Sequence, residues 1–200
     1  MVADAAVAGG ANVVGFIDDG AACGSRVAGL PVMTFAQVMG DPSFHPADLA
    51  VALALGDNRV RQRIASLVRA AGLSLFTVVH PAAVVARSAR LGEAVAVLAR
   101  AVINPDASVE EGAIINTGAI VEHDCHIGAF AHLSPNAALG GAVVIGTRTH
   151  VGLGAVVLPG LNIGSDVRVG AGAAVVRDVA ENLTVVGVPA RRLERALEKA

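Results

Sequence analysis

The stretch from Val97 to Ile127, VLARAVINPDASVEEGAIINTGAIVEHDCHI, carries an aliphatic residue at every sixth position. The same phase continues in both directions, and the residue two positions earlier is usually small, most often Ala. Because strand side chains alternate, small–x–aliphatic predicts a short strand with both outer residues pointing inwards. Three such strands with their corners close one turn of eighteen residues, so the pattern predicts a parallel β-helix over 79–178. All seventeen positions in phase are Val, Ile or Leu: Val79, Val85, Leu91, Val97, Ile103, Val109, Ile115, Val121, Ile127, Leu133, Leu139, Ile145, Val151, Val157, Ile163, Val169 and Val175.

Residues 1–78 follow a different pattern. Asn12–Asp18 (NVVGFID) and Leu49–Leu55 (LAVALAL) predict buried parallel strands, and Leu75–Val79 predicts a further strand that leads into the coil. Asn58–Ala71 (NRVRQRIASLVRAA) predicts a helix that ends at Gly72. This alternation indicates a small Rossmann-like α/β domain over 1–78. Residues 179–200 are expected to form a C-terminal tail with a short helix.

The composition excludes several classes of function. Hydrophobic residues make up 54% of the chain and the mean hydropathy is +0.63, but most of them are Ala and Val interrupted by Gly or polar residues. No apolar run approaches the roughly 20 residues of a membrane span, and no signal peptide is evident at the N-terminus. The two cysteines, Cys23 and Cys125, are too few for a disulfide framework and are typical of a protein in a reducing compartment. A net charge of −2 provides no electrostatic attraction to nucleic acid. We therefore expect a cytoplasmic protein with no membrane insertion.

One corner of the predicted coil combines the two groups that acyl transfer from a thioester needs. His123 lies two residues after the inward Val121, and Gly141 occupies the same corner one turn later. A histidine can take the proton from an attacking amine or hydroxyl, and a backbone N–H can stabilise the oxyanion of the tetrahedral intermediate. Either Glu122 or Asp124 could orient the imidazole ring and favour its charged form.

Other histidines allow different interpretations. His132 lies between inward residues and therefore faces outwards, and His150 stacks on it one turn later, so the pair could line a cofactor groove or a subunit interface. His126 and His150 could equally be ordinary solvated surface. A zinc site of the kind found in β-helix carbonic anhydrases is a further alternative, with His123, His126, His132 and His150 as the candidate ligands.

The segment Ile115–Ser134, INTGAIVEHDCHIGAFAHLS, resembles the signature of the NeuD/PglD family of sugar acetyltransferases. Further similarities are Asp18-Asp19 after a strand, Gly56–Arg59 (GDNR) before a helix, His80-Pro81 at the coil entry and Gly187–Arg191 (GVPAR) near the end. The resemblance covers nearly the whole chain. It implies a left-handed β-helix, a homotrimer, and acetyl-CoA bound between adjacent coils with each active site shared by two subunits.

The resemblance also implies a role for individual residues. His123 would be the general base, Asp124 would tune it, and Gly141 would donate its N–H to the thioester carbonyl. Asn116 would hold the sugar and His132 would contact acetyl-CoA near the thioester. The remaining assignments are a nucleotide contact by Asp18 and Asp19, and a cofactor contact by Gly187, Pro189 and Arg191.

The expected reaction is acetyl transfer from acetyl-CoA to the amino group of a nucleotide-linked amino sugar in surface-glycan biosynthesis, with no metal. O-acetylation of sialic acid or another glycan hydroxyl would use the same base. A non-catalytic β-helix binding module is an alternative of another class. One departure from the family pattern concerns the opening strand and Gly-rich phosphate loop, because the chain begins inside the first expected helix, at Met1. We therefore expect a truncated N-terminal domain or a start codon assigned too late.

Overall fold

The computed structural model describes residues 1–22 and 24–193. The chain begins with short α/β elements and continues as a long coil of two-residue strands. The N-terminal elements are α1 (Val2–Ala8), β1 (Phe16–Ile17), β2 (Arg26–Val27), β3 (Leu30–Met33), α2 (Phe35–Gly40), a 3-10 turn (Pro46–Asp48), β4 (Ala50–Val51), α3 (Asn58–Ala70) and β5 (Ser74–Leu75).

The N-terminal strands form two separate small sheets. In one, β1 pairs in parallel with β3, and β2 pairs with β3 in antiparallel fashion; in the other, β4 and β5 pair in parallel. The long strands expected over 12–18 and 49–55 were wrong in extent, because only two residues of each form a strand that pairs with a neighbour. The segment expected over 75–79 is likewise divided between β5 and the first coil strand.

The helix predicted over 58–71 is confirmed to within one residue as α3. Asp57 is its N-cap, and its carboxylate accepts hydrogen bonds at 2.9 Å from the backbone N–H groups of Arg59 and Val60. With 13 residues, α3 is the longest helix in the described part of the chain, and no described helix is long and apolar enough to cross a membrane.

The coil is a left-handed parallel β-helix with three faces. The docked face contains β6 (Val78–Val79), β9 (Ala96–Val97), β12 (Ile114–Ile115), β15 (His132–Leu133), β18 (His150–Val151), β21 (Arg168–Val169), β23 (Thr184–Val186) and, at its edge, β24 (Arg191–Arg192). The apolar face contains β7 (Val84–Val85), β10 (Val102–Ile103), β13 (Ile120–Val121), β16 (Ala138–Leu139), β19 (Val156–Val157) and β22 (Ala174–Val175). The third face contains β8 (Arg90–Leu91), β11 (Ser108–Val109), β14 (His126–Ile127), β17 (Val144–Ile145) and β20 (Asn162–Ile163).

The hexapeptide phase is confirmed by the register, because each strand from β6 to β19 pairs with the strand eighteen residues further on, as Ile115 pairs with Leu133. From Val97 onwards every predicted inward aliphatic residue is at most 3% exposed. Val79 is 37% exposed although it is in phase. It lies on the first turn of the coil, so no preceding turn covers it.

The end of the described chain extends the docked face instead of forming a loose tail. β23 pairs in parallel with β21, and β24 turns back against β23 in antiparallel fashion. A tail with a short helix was predicted over 179–200, and residues 194–200 of it lie outside the described residues.

The N-terminal part is fastened to the docked face through α3. The fully buried Arg61 donates hydrogen bonds to the backbone carbonyls of Gly112 and Phe130, both at 2.7 Å. Arg59 forms an ion pair with Asp166, and Arg69 forms ion pairs with Glu93 and Glu111 on successive turns of the coil. The outward side chains of Ala96, Ile114 and His132 on this sheet are buried, whereas that of Arg168 near its far end is exposed.

Candidate active site

His123 lies at the corner that joins the apolar face to the third face. Asp124 follows it with a φ of +60°, a conformation that Asp adopts more readily than most residues. This conformation places the Asp124 carboxylate against the imidazole, with Nδ1 of His123 2.8 Å from Oδ2 of Asp124. A carboxylate only accepts, so Nδ1 carries the proton and Nε2 keeps its lone pair. The ring is therefore oriented as a base that presents Nε2.

The choice between the two neighbouring carboxylates is settled by this hydrogen bond. Asp124, and not Glu122, holds the ring. The hydrogen bond to Asp124 raises the pKa of His123, and the negative charges of Asp124 and Glu122 act in the same direction. Both side chains are well exposed, at 62% for His123 and 59% for Asp124, so the pair orients the ring without contributing much to stability.

Gly141 lies directly against the His123 ring. A Cβ atom at Gly141 would be 2.6 Å from Cε1 and 2.7 Å from Nε2 of His123, which is closer than van der Waals contact allows. Only a residue without a side chain leaves the ring in this position. The Gly141 N–H donates to no acceptor among the described residues, as is also true of the N–H of His123 one turn earlier. The residue that carries this N–H therefore lies next to the His123 ring.

A second polar cluster lies on the docked face. The amide nitrogen of Asn116 is 3.0 Å from Nε2 of His132, and both residues are buried. The His132 and His150 rings stack with centroids 4.8 Å apart and planes 8° from parallel. Nε2 of His150 is 2.7 Å from the hydroxyl of Ser134.

Both stacked histidines are neutral near pH 7. Burial lowers the pKa of His132 to about 4, and the positive charge of Arg61 and the neighbouring His150 act in the same direction. Burial and the charges of Arg168 and Arg61 lower the pKa of His150 as well. This cluster can therefore orient a ligand by hydrogen bonds but is not a source of protons.

The two clusters lie at different corners of one coil turn. Asn116 follows β12 and precedes the apolar face, whereas His123 follows β13 and leaves that face. Within one chain His123 and the Asn116–His132 pair thus stand at opposite edges of the apolar face.

The comparisons with known proteins identify the family. Residues 1–68 match the family model of the PglD N-terminal domain. PerB from Caulobacter crescentus, solved in complex with CoA and GDP-perosamine, is 42% identical, with 96% of this chain and 91% of that chain covered and a TM-score of 0.89. The acetyltransferase domain of PglB from Neisseria gonorrhoeae is 38% identical, with 96% and 93% covered and a TM-score of 0.89. WeeI from Acinetobacter baumannii is 30% identical, with 90% and 85% covered and a TM-score of 0.84. Comparison with curated protein sequences gives no significant match.

The chain belongs to the NeuD/PglD family of sugar acetyltransferases.

In this acetyltransferase the sequence-based expectations for the histidines need correction. His132 faces away from the coil core, as expected, but it is only 9% exposed because α3 covers it, so in one chain it lines no open groove. Solvated surface was the wrong interpretation for His150, which is half-buried and bound to Ser134. His126 is half-buried too, with Ser108 and Glu110 as its partners.

The zinc alternative finds no support in the geometry of the acetyltransferase. The candidate ligands are distributed over different sites, with His132 and His150 on the docked face, His126 on the third face and His123 at a corner. Within residues 1–22 and 24–193, no group of three or more His, Cys, Asp and Glu side chains is arranged to hold a metal ion.

The residues assigned to the nucleotide and to the far end of the cofactor belong to other elements than the two clusters. Asp18 and Asp19 follow β1; Asp18 accepts a hydrogen bond from the N–H of Gly20, and Asp19 accepts one from the N–H of Phe35. Gly187, Pro189 and Arg191 lie in the connection between β23 and β24 and at its end. They are three turns from His132, which corresponds to about 14 Å at the usual spacing of strands. Only an extended ligand could contact both.

Sequence reasoning did not single out Arg61, which is fully buried beside the second cluster. A signal was present, because Arg61, Ala65 and Val68 recur at helical spacing and all three are buried. An arginine within the apolar stripe of a helix implies buried acceptors for its five N–H donors. Three of those acceptors lie on a coil segment 51 to 70 residues away, and their location is a property of the tertiary structure.

Proposed function

We propose that the protein transfers the acetyl group of acetyl-CoA to the amino group of a nucleotide-linked amino sugar. The observation that carries the proposal is the His123–Asp124–Gly141 corner, in which an oriented base lies against a backbone N–H that has no internal acceptor. The relatives support the choice of substrates, because PerB was solved with CoA and GDP-perosamine and a related structure is described as a perosamine N-acetyltransferase. These descriptions favour an amine as acceptor over the hydroxyl of an O-acetylation reaction.

The chemistry follows from the protonation state of His123. Nε2 takes a proton from the sugar amine as the amine nitrogen attacks the thioester carbonyl carbon. The negative charge that develops on the carbonyl oxygen is stabilised by the N–H of Gly141. When the tetrahedral intermediate collapses, the carbon–sulfur bond breaks and the imidazolium returns the proton to the CoA thiolate. The hydrogen bond to Asp124 stabilises the imidazolium between these two steps.

We infer that the active unit is a homotrimer with each site between two subunits. Every outward residue of the apolar face is aliphatic, and several of these side chains are exposed, including Val84 at 62% and Val156 at 43%. A second copy packed on this face could bring its Asn116–His132 cluster to the His123 corner of the first. The outward residues in register are Val84, Val102, Ile120, Ala138, Val156 and Ala174.

The remaining assignments complete the proposal. Asn116 and His132 hold the groups around the reacting centre, Asp18 and Asp19 contact the nucleotide, and acetyl-CoA extends along the coil towards Gly187, Pro189 and Arg191. Acetyl-CoA and nucleotide sugars are cytoplasmic substrates, so we place the reaction in the cytoplasm, as a step of surface-glycan biosynthesis.

A turnover assay tests the function. The purified protein is incubated with acetyl-CoA and a panel of nucleotide-linked amino sugars, and products are detected by mass spectrometry. We expect one or more amino sugars to gain an acetyl group while the matched hydroxy sugars do not. Acetylation of a hydroxyl alone would replace this proposal by O-acetylation. No acetylation by a folded protein that binds the same ligands would favour the binding module.

A further inference from the structure

Three polar residues of the described chain occupy the small position of the repeat, two residues before an aliphatic one. Each donates a side-chain hydrogen bond to the backbone carbonyl fifteen residues later, which belongs to the first residue of a corner one turn further on. The pairs are Thr77 with Gly92, Cys125 with Gly140, and Thr149 with Gly164. A carbonyl only accepts, so the hydroxyl or the thiol supplies the proton in each pair.

These bonds take the place of the turn hydrogen bond that closes other corners. Where Ala occupies the small position, its N–H donates to the carbonyl three residues earlier, as Ala131 donates to Gly128 at 3.1 Å. At the three bridged corners, all within the described chain, the N–H at this position does not bind the carbonyl three residues earlier. The residues there are Val95, Val143 and Val167. The N–H of Val167 donates to the hydroxyl of Thr149 instead, at 3.0 Å.

Cys125 is the bridging residue of the corner that contains Gly141. Its sulfur is 3.2 Å from the carbonyl oxygen of Gly140, and the side chain is only 1% exposed. Burial raises the pKa of the Cys125 thiol, against a smaller opposing effect of the N–H of Val143. The thiol therefore keeps its proton at neutral pH and acts as a hydrogen-bond donor, not as a nucleophile.

The bond to Cys125 fixes the direction of the peptide group that joins Gly140 to Gly141. This peptide is trans, so its C=O and its N–H point in opposite directions. Because the carbonyl of Gly140 points towards a sulfur inside the coil, the N–H of Gly141 points out of the coil. This N–H binds no acceptor among the described residues, and Gly141 itself lies against the His123 ring.

We propose that Cys125 is a positioning residue for acetyl transfer: its thiol holds the Gly140 carbonyl inside the coil and thereby directs the N–H of Gly141 towards the thioester carbonyl oxygen. This role rests on the proposed function, in which that N–H stabilises the oxyanion. Cys125 is buried in the coil and touches no reacting atom. Its effect should therefore appear in kcat and not in the affinity for acetyl-CoA.

The test compares two residues of nearly equal shape at position 125. Cys125→Thr keeps a donor and introduces the residue that the chain itself uses at positions 77 and 149, whereas Cys125→Val fills the same space without a donor. Cys125→Ala also lacks a donor, and it should fold because Ala occupies this position in most turns. Thr77→Val is the matched control, because it removes the same kind of bond at the corner between β8 and β9.

We expect kcat of Cys125→Val and Cys125→Ala to fall about tenfold, a smaller loss than removal of a whole oxyanion donor causes, because the N–H is misdirected and not deleted. Cys125→Thr should keep kcat within about twofold of the wild type, because the hydroxyl replaces the thiol as donor. Thr77→Val should leave kcat unchanged. The calorimetric affinity for acetyl-CoA should stay the same in all four variants.

A dithioester analogue of acetyl-CoA shows whether the loss acts on the carbonyl oxygen. In this analogue sulfur, a weak acceptor, replaces that oxygen, so a correctly directed N–H gives little advantage. The rates of Cys125→Thr and Cys125→Val should therefore differ much less with the analogue than with acetyl-CoA. A role of Cys125 in packing alone would affect both substrates equally.

Crystal structures of the variants show the direction of the peptide without turnover. In Cys125→Val and Cys125→Ala we expect the carbonyl of Gly140 to turn towards the N–H of Val143, as at the corners closed by Ala. An unmoved Gly140–Gly141 peptide would overturn the proposal, as would equal kcat in Cys125→Thr and Cys125→Val, or an undiminished difference with the analogue. If the wild type acetylates no amino sugar, the proposed function fails, whereas the crystal structures still decide whether Cys125 directs this peptide.

Discussion

Replacing Gly141 by Ala should displace the general base without removing any atom that takes part in the reaction. The added Cβ would lie 2.6 Å from Cε1 of His123, whereas ordinary contact begins at 3.4 Å, so the ring must move by about 0.8 Å. If the ring moves away from Asp124 by this amount, the distance from Nδ1 of His123 to Oδ2 of Asp124 grows from 2.8 Å to about 3.6 Å, and the hydrogen bond is lost. The N–H of residue 141 and the buried coil core are unchanged.

We expect kcat of Gly141→Ala to fall by about 10²-fold, which is the usual cost of misplacing a catalytic group by about 1 Å. The assay is steady-state kinetics at saturating acetyl-CoA and acceptor, with light scattering to verify assembly. Gly40→Ala is the matched control, because a Cβ at Gly40 meets no atom within 4 Å.

A double-mutant cycle shows whether the ring is the target of the clash. In a His123→Ala background there is no imidazole to displace, so Gly141→Ala should cost almost nothing more. An equal cost in both backgrounds would mean that Gly141 acts through its backbone alone. Near-normal kcat in the single variant would refute the contact argument altogether.

The remaining predictions concern the base, its pH dependence and the assembly. His123→Ala should lower kcat by a factor of about 10²–10⁴ in a folded protein with near-normal acetyl-CoA affinity, whereas His132→Ala should mainly weaken the binding of cofactor or acceptor. Steady-state kinetics separates the two effects. A folded His123→Ala enzyme with normal kcat would remove His123 from the mechanism. Asp124 raises the pKa of His123, so activity should fall as the pH drops through that raised pKa. Asp124→Asn should move this fall in activity to lower pH and reduce the maximal rate. If the pH at which kcat/KM falls does not change in Asp124→Asn, the role of Asp124 is contradicted. Val156→Glu places a charge on the apolar face and should therefore give inactive monomers, whereas Val144→Glu on the third face should leave the trimer intact. Light scattering measures the oligomeric state of both variants. A wild-type protein that is monomeric at micromolar concentration would refute the proposed trimer.

The coil could be predicted from the sequence because its interactions are local and periodic. Each inward residue packs against residues eighteen positions away, and each turn has three strands. An aliphatic residue is therefore required at every sixth position, and this repeat can be recognised from the sequence alone. The His123 corner was predictable for the same reason, since one turn of the coil places Gly141 against it. The N-terminal strands were predicted too long, because their extent depends on which short neighbours pair with them.

The environment of His132 and Arg61 could not be derived from the repeat. The strand alternation correctly placed His132 on the outside of the coil, but burial depended on α3, which is far away in the chain. Likewise, the apolar stripe of α3 contains Arg61, but only the docking of that helix shows which carbonyls satisfy the guanidinium. The neutral state of the histidine stack follows from that docking.

The sequence by itself therefore determined the three-sided coil, the family and the corner at which His123 meets Gly141, since all of these depend on residue types at fixed spacing. Only the tertiary structure decided that Asp124 holds the ring, that the Asn116–His132 pair stands at the opposite edge of the apolar face, and that Arg61 is fully buried beside that pair. The physical reason is that hydrogen-bond geometry and burial depend on contacts between elements distant in the chain, and no local spacing encodes them.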